Sequence, residues 1–308
     1  MNWIFFAIAG YFLLAAEAVI SKVLLTGRIK SWKSYSVYVG LLSAVGFLVA
    51  LGGFFDEKWR LQWSGFGIFS IALISGIIFF VGLNFLYRSL QFSAASRVYV
   101  LFGAVVTISS YILGSFLIDE KHDVGDLLGV VLLIIGGILI SYQFYKNKFF
   151  KTSEYVIAAG VLIAFSLIFL KYVYDSQNFV SGYFYSRAGM FLAALFFLII
   201  PIDGKRVVLL KSKTKKGQKK KSLDMLAIFG AKTIAGIGTF LVYYAISLGS
   251  VTMVNALVSV QYLFTFVLVI IFGFYIKSLR ENLTFKNIIL KILGVLLVLW
   301  GVILISVN

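Results

Sequence analysis

Ten times along its 308 residues this chain runs for about twenty residues with hardly a charge, over approximately 3–25, 35–55, 64–88, 93–118, 124–144, 155–174, 179–201, 225–247, 251–276 and 287–307. That is the length a helix needs to cross the hydrocarbon core of a bilayer. Only helices and closed barrels satisfy every backbone polar group there. Barrel strands alternate apolar and polar residues, and runs such as ALVSVQYLFTFVLVIIFGFYI do not. The expected fold class is all-α, a polytopic membrane protein with ten transmembrane helices. Composition agrees, with 61% hydrophobic and 13% charged residues. Soluble domains carry about 45–50% and about 25%.

The punctuation between runs is polar: TGRIKSWKS, DEKWRLQW, DEKHD, YKNKFFKTSE and KSLRENLTFK. One loop, 202–223, is strongly basic; its segment KRVVLLKSKTKKGQKKK holds nine of the 28 Lys/Arg. Between two spans, such a loop fixes orientation and meets anionic headgroups; nucleic acid is not expected. The first apolar run lacks a basic leader and is read as a retained helix. With no Cys, a disulfide framework and a thiolate metal site are excluded.

The chain repeats itself. GVVLLIIGGILIS (129–141) in the fifth run returns as GVLLVLWGVILIS (294–306) in the tenth, identical at eight of thirteen positions. SLQFSAASRVYVLFG (89–103) aligns with SLGSVTMVNALVSVQ (247–261), pairing Arg97 with Asn255 and Gly103 with Gln261. ISKVLL and FLKYVY pair Lys22 with Lys171. The expected organisation is two five-helix units, 1–146 and 147–308. Because five is odd, the second unit enters the membrane the opposite way round. Inverted repeats of this kind are a hallmark of secondary transporters, whose sites lie near the midplane between the halves. The paired glycines are read as small residues that let helices approach closely.

This layout resembles the drug/metabolite transporter superfamily, EamA type, over essentially the whole chain. The segment LYRSLQFSAASRVYVLFGAVVTISSYILGSFLIDEKHDVGDLLGVVLLIIGGILIS (86–141) carries most of the likeness. Glu120 stands at the family's acidic position, and Glu281 is its counterpart in the second half. Where the family often has Pro in helices four and nine, this chain has Gly103 and Gln261 nearby. The resemblance implies a central cavity, with spans five and ten at the periphery and both termini in the cytoplasm. The charge bias implies the reverse. Loops after the odd-numbered spans carry 18 Lys/Arg, and the opposite loops and tails carry only Lys58, Arg60 and Lys121. By the positive-inside rule the basic loop 202–223 is then cytoplasmic.

Charge inside hydrocarbon marks candidate function. Of twelve carboxylates only Glu17 lies well inside a span. A carboxylate taken out of water holds a proton more readily, so Glu17 is the candidate for proton coupling, as in the similar first-helix Glu of small multidrug resistance proteins. The alternative is a structural ion pair with Arg97, Arg187 or Lys232. Arg187 and Lys232 are candidate substrate contacts for a carboxylate or phosphate. Arg97, near its helix end, could do the same or snorkel. Asn84, Asn255 and Gln261 are amides in apolar helices and need partners; Gln261, the deeper of the last two, is preferred for the cavity. Among the aromatics, Tyr99 and Tyr262 are chosen as wall residues from a set that includes Tyr183, Tyr185, Tyr243, Tyr244 and Trp300, most of which are expected to face lipid. Lys22, Lys171, Asp126 and Lys291 lie close enough to span ends to be solvated.

No enzyme is expected. The sole histidine, His122, sits in DEKHD, where Asp123 is read as capping span five. No Gly-rich phosphate cradle and no cofactor or metal site is expected. The expected function is gradient-driven export or exchange of a small organic metabolite across a prokaryotic-type plasma membrane, by a monomer or homodimer. Two alternatives stay open: a translocator of a lipid-linked sugar or phospholipid, to which Arg88 and Arg97 would suit, and a non-transporting receptor or assembly protein.

Overall fold

A computed structural model describes residues 2–25, 32–92, 95–141, 153–199, 215–273 and 285–307. Among them the chain is helical throughout, without a strand. The helices are α1 (Asn2–Leu25), α2 (Trp32–Leu42) continued by a 3₁₀ stretch (Ser43–Phe54), α3 (Phe66–Phe92), α4 (Ala95–Leu117), α5 (Val124–Ser141), α6 (Ser153–Ser176), α7 (Phe179–Ile199), α8 (Lys215–Leu248), α9 (Val251–Ala256), α10 (Val258–Gly273) and α11 (Phe285–Val307). Among the described residues seven segments are long and apolar enough to cross a membrane, and shorter apolar segments lie in α4, α5 and α11. The protein is a multi-pass membrane protein. Loop residues 202–214 and Glu281 lie outside the described residues.

Two helices depart from the even runs of the sequence. The run expected over 35–55 begins as α-helix and tightens to 3₁₀ from Ser43 to Phe54, far longer than the usual three or four residues of that form. Gly46, Gly52 and Gly53 lie in it, and the Ser43 hydroxyl donates to the Gly40 carbonyl at 2.6 Å. The run expected over 251–276 breaks at Leu257. There the Thr107 hydroxyl of α4, which also bonds the Gly103 carbonyl of its own helix at 2.9 Å, lies 3.2 Å from the Asn255 carbonyl. A side chain inserted into the helical ladder is a known cause of such breaks. In addition, α8 starts at Lys215 rather than near 225, taking in KKGQKKK; Lys and Gln are good helix formers.

Small residues set the packing. A β-carbon on Gly136 would lie 2.8 Å from the Gly294 carbonyl, and one on Gly301 2.9 Å from the Gly129 carbonyl. The two copies of the repeated motif therefore lie antiparallel against one another, α5 on α11, with backbones nearly in contact. Gly10 of α1 and Gly238 of α8 do the same, each 2.8–2.9 Å by that measure from the other's carbonyl. Helix α3 packs on α6 and α7, α4 on α6, and α1 on α10. Small hydroxyls pin these contacts, as where Ser166 donates to the Ser75 carbonyl at 2.8 Å.

Replacing Gly136 by Leu should drive α5 off α11. The expected loss is about 1–3 kcal/mol, read as a lowered melting temperature of the purified protein in detergent. An unchanged transition would show that this contact does not hold the helices together.

Candidate functional site

The charges that the sequence scatters over three helices meet one cavity. Its volume is about 850 Å³, within the usual range of ligand sites, and its walls include Glu17 of α1, Lys232 of α8, Arg187 of α7 and Tyr99 of α4. Glu17 and Lys232 form an ion pair across the α1–α8 contact, which is the structural-pairing alternative for Glu17, with Lys232 as its partner. The Lys232 ammonium also lies 4.9 Å from the centre of the Tyr35 ring, and Tyr35 meets Tyr87 edge to face at 4.8 Å. A buried ion pair offsets desolvation only when further contacts complete it; the ring faces supply one.

Arg187 is held differently. It is 7% exposed, and no carboxylate pairs with it among the described residues. Its guanidinium lies against the rings of Tyr243 (4.6 Å), Tyr183 (4.9 Å) and Phe79 (5.6 Å). Its Nη1 approaches the Met190 sulfur at 3.7 Å, and its Nε has no hydrogen-bond partner. The backbone makes room for it. A β-carbon on Gly46 would stand 2.8 Å from Arg187 Cγ, and the Ser43 hydroxyl, shared with the Gly40 carbonyl, lies 3.2 Å from the Arg187 carbonyl. The 3₁₀ stretch is thus fastened to α7 at this arginine. Eight residues into α7, Arg187 lies roughly 12 Å from the α6–α7 turn; Glu17 is about as far from the opposite end of α1.

At the Arg187 end the cavity is roofed by rings. Trp59 stacks on Phe240 at 6.4 Å, and Phe179 meets Phe240 at 5.2 Å and Tyr244 at 5.1 Å. The loop carrying Trp59 is strapped down, since the Asn178 amide donates to the Arg60 carbonyl at 2.7 Å and the Gln62 N–H to Ser181 Oγ at 2.7 Å. The side between the 3₁₀ stretch and α8 is open: Val45, Leu48, Phe229 and Ile237 line the cavity and are exposed. A second, apolar hollow of about 600 Å³ lies against α3 and α7, with Trp32, Asn84 and Arg88 in its wall; Arg88 stacks on Tyr155 at 4.4 Å.

The other residues singled out in the sequence lie elsewhere. Neither Asn255, Gln261 nor Tyr262 lines the cavity. Asn255 donates to Ser110 Oγ at 2.7 Å, joining α9 to α4, and the Tyr262 hydroxyl donates to the Tyr99 carbonyl. The side chain of Arg97 lies outside the described residues. Glu120 caps α9: its carboxylate accepts from the Val251 N–H at 2.7 Å and the Thr252 hydroxyl at 2.8 Å, a favourable place for negative charge. His122 lies 3.4 Å from that carboxylate. Asp126 accepts from the Asp123 N–H at 3.3 Å at the start of α5. Lys291, expected to be solvated, is 4% exposed with its ammonium 4.4 Å from the Phe266 ring. Tyr35, Tyr87, Trp59 and Gly46 are site residues that the sequence did not mark. Trp59 reads there as loop and Gly46 as one glycine among 28; neither carries a periodic signal.

Comparison with known proteins found no matching family and no matching curated protein. A solved structure described only as "Crystal structure of protein" shares the fold. It superposes with a TM-score of 0.69 over 99% of this chain and 96% of its own, at 14% identity.

The ion pair makes a thermodynamic prediction. Lys232→Met leaves Glu17 buried without its cation and should destabilise the protein by about 3–5 kcal/mol, whereas Glu17→Gln with Lys232→Met together should cost much less. A double-mutant cycle on thermal unfolding reads the difference; additive single effects would mean that the two groups do not interact.

Proposed function

We propose that this chain is a secondary transporter of the drug/metabolite superfamily, EamA type, exporting or exchanging a small organic metabolite by alternating access. The observation that carries this reading is the convergence of Glu17, Lys232 and Arg187 on one cavity inside a bundle of apolar helices. A receptor or assembly protein has no need to gather three charges around a hollow. Each ionisable group in the membrane is expensive, and a cavity that binds a polar solute gives a reason for all three.

The packing supports two five-helix units, 1–146 and 147–308, related by a two-fold in the bilayer plane, with ten spans in all. Exchanging the units turns the α1–α8 contact into α6–α3, and the α4–α6 contact into one between α1 and the α9–α10 rod; all four occur. The repeat motifs of α5 and α11 face each other across the same axis. The fold shared with a solved structure along nearly the whole chain fits a single architecture rather than a partial likeness. Alternating access then consists of opening the aromatic roof around Trp59, Phe179 and Phe240 while the Glu17 end closes.

The positive-inside rule puts the basic loop 202–223 in the cytoplasm of a prokaryotic-type plasma membrane. The roof then lies on the outer side, and the cavity is closed outward. Proton coupling would run through the ion pair: a proton reaching Glu17 releases Lys232, and the pair re-forms when it leaves. The sideways opening between Val45, Leu48 and Ile237 supports a second reading, translocation of a lipid-linked sugar or phospholipid, with Arg88 beside the apolar hollow as a headgroup contact.

Reconstituted protein is expected to take up at least one of a panel of labelled organic acids, amines and sugars faster than protein-free liposomes. An imposed pH gradient should raise that flux in the wild type and leave it unchanged in Glu17→Gln. Flux of no panel member above the protein-free rate counts against transport; a Glu17→Gln protein that still responds to the gradient removes Glu17 from coupling.

A further inference from the structure

We infer that the cavity takes a singly charged anion carried on an apolar body, its anionic group paired with Arg187. That such a ligand is cargo rests on the transport reading; the site itself rests on geometry.

Among the described wall residues there are two cations and one carboxylate. Glu17 and Lys232 cancel one another, which leaves Arg187 as the uncompensated charge. A guanidinium has five N–H donors. Those of Arg187 meet ring faces, the Tyr243 side chain and the Met190 sulfur, and Nε has no hydrogen-bond partner. A buried cation with open donors is unfavourable until an acceptor arrives. A carboxylate or phosphate oxygen pair matches the planar fork, and such charge-assisted bonds are the strong ones.

The rest of the wall decides what the anion is attached to. Leu14, Val39, Phe79, Leu83 and Phe240 surround the charges, so the body of the ligand is apolar. A cation would face the positive field of Arg187, and the faces of Tyr183 and Tyr35 are already occupied by Arg187 and Lys232. A dianion would find no second unpaired cation among the described wall residues. Such an amphiphile has two sources, water or the bilayer through the open side at Leu48 and Ile237.

Three probes of one size separate charge from shape: 2-naphthoate, 2-naphthamide and 2-naphthylmethylammonium, measured by equilibrium dialysis against the protein in phosphatidylcholine nanodiscs and corrected for empty discs. The wild type should bind naphthoate about tenfold or more tighter than the amide, with the ammonium weakest. Arg187→Met should reduce naphthoate to the affinity of the amide, and Arg187→Lys should keep part of the preference. Equal affinities in the wild type, or a preference for the ammonium, overturns the inference whether or not the variants fold. Displacement of naphthoate by phosphatidylglycerol assigns the anion to the bilayer; its persistence assigns it to water. Naphthoate bound at Arg187 but not carried into proteoliposomes would sink the transport reading and leave the anion site standing. Flux of amines or sugars with no anion preference would do the opposite.

Discussion

Glu17 and Lys232 neutralise each other inside an apolar bundle, and the geometry of the cavity is tied to that pair. Neither charge is tolerable alone away from water, so α1 and α8 must lie in register. The glycines supply the register. Gly10 and Gly238 bring the two backbones together. Glu17 lies seven residues beyond Gly10, and Lys232 six before Gly238, each about 10 Å along antiparallel helices. The charges arrive level because the close approach is fixed a turn or two away. The cavity's open side lies between α8 and the 3₁₀ stretch of the second span.

Arg187 poses the complementary problem. Its charge has no carboxylate to meet among the described residues, and what holds it is a set of ring faces, a side-chain hydrogen bond with Tyr243, a sulfur and the room left by Gly46. Aromatic faces attract a cation but accept no conventional hydrogen bond in the plane of the guanidinium. The arginine is therefore positioned without being saturated. Ser43 and Gly46 also place it against the 3₁₀ stretch, so a ligand on Arg187 would sit beside that element.

The polar groups outside the cavity serve the helices. Glu120 closes the start of α9, and Asn255 and Thr107 hold α9 to α4 just before the break at Leu257. Each satisfies a backbone or amide group that the bilayer would leave unpaired. Glu120, at the acidic position of the family resemblance, and Asn255, one of the amides within an apolar run, are thus engaged here in capping and pinning.

By itself the sequence determined that the chain is helical and crosses a membrane several times, because length and hydropathy settle that along one dimension. It also marked Glu17, Arg187 and Lys232, because charge within an apolar run is rare enough to stand out. It could measure depth but not direction. Successive residues turn by about 100° around a helix, so Gln261, deep in its run, does not line the cavity, while Lys291, near an end, is buried against Phe266. Only the tertiary structure decided which cation met Glu17, that Arg187 met no carboxylate among the described residues, and that Trp59 roofs the hollow. Those outcomes depend on helix rotation and on how near two backbones come. Both are set by small residues on neighbouring helices, hundreds of positions away in the chain for Glu17 and Lys232.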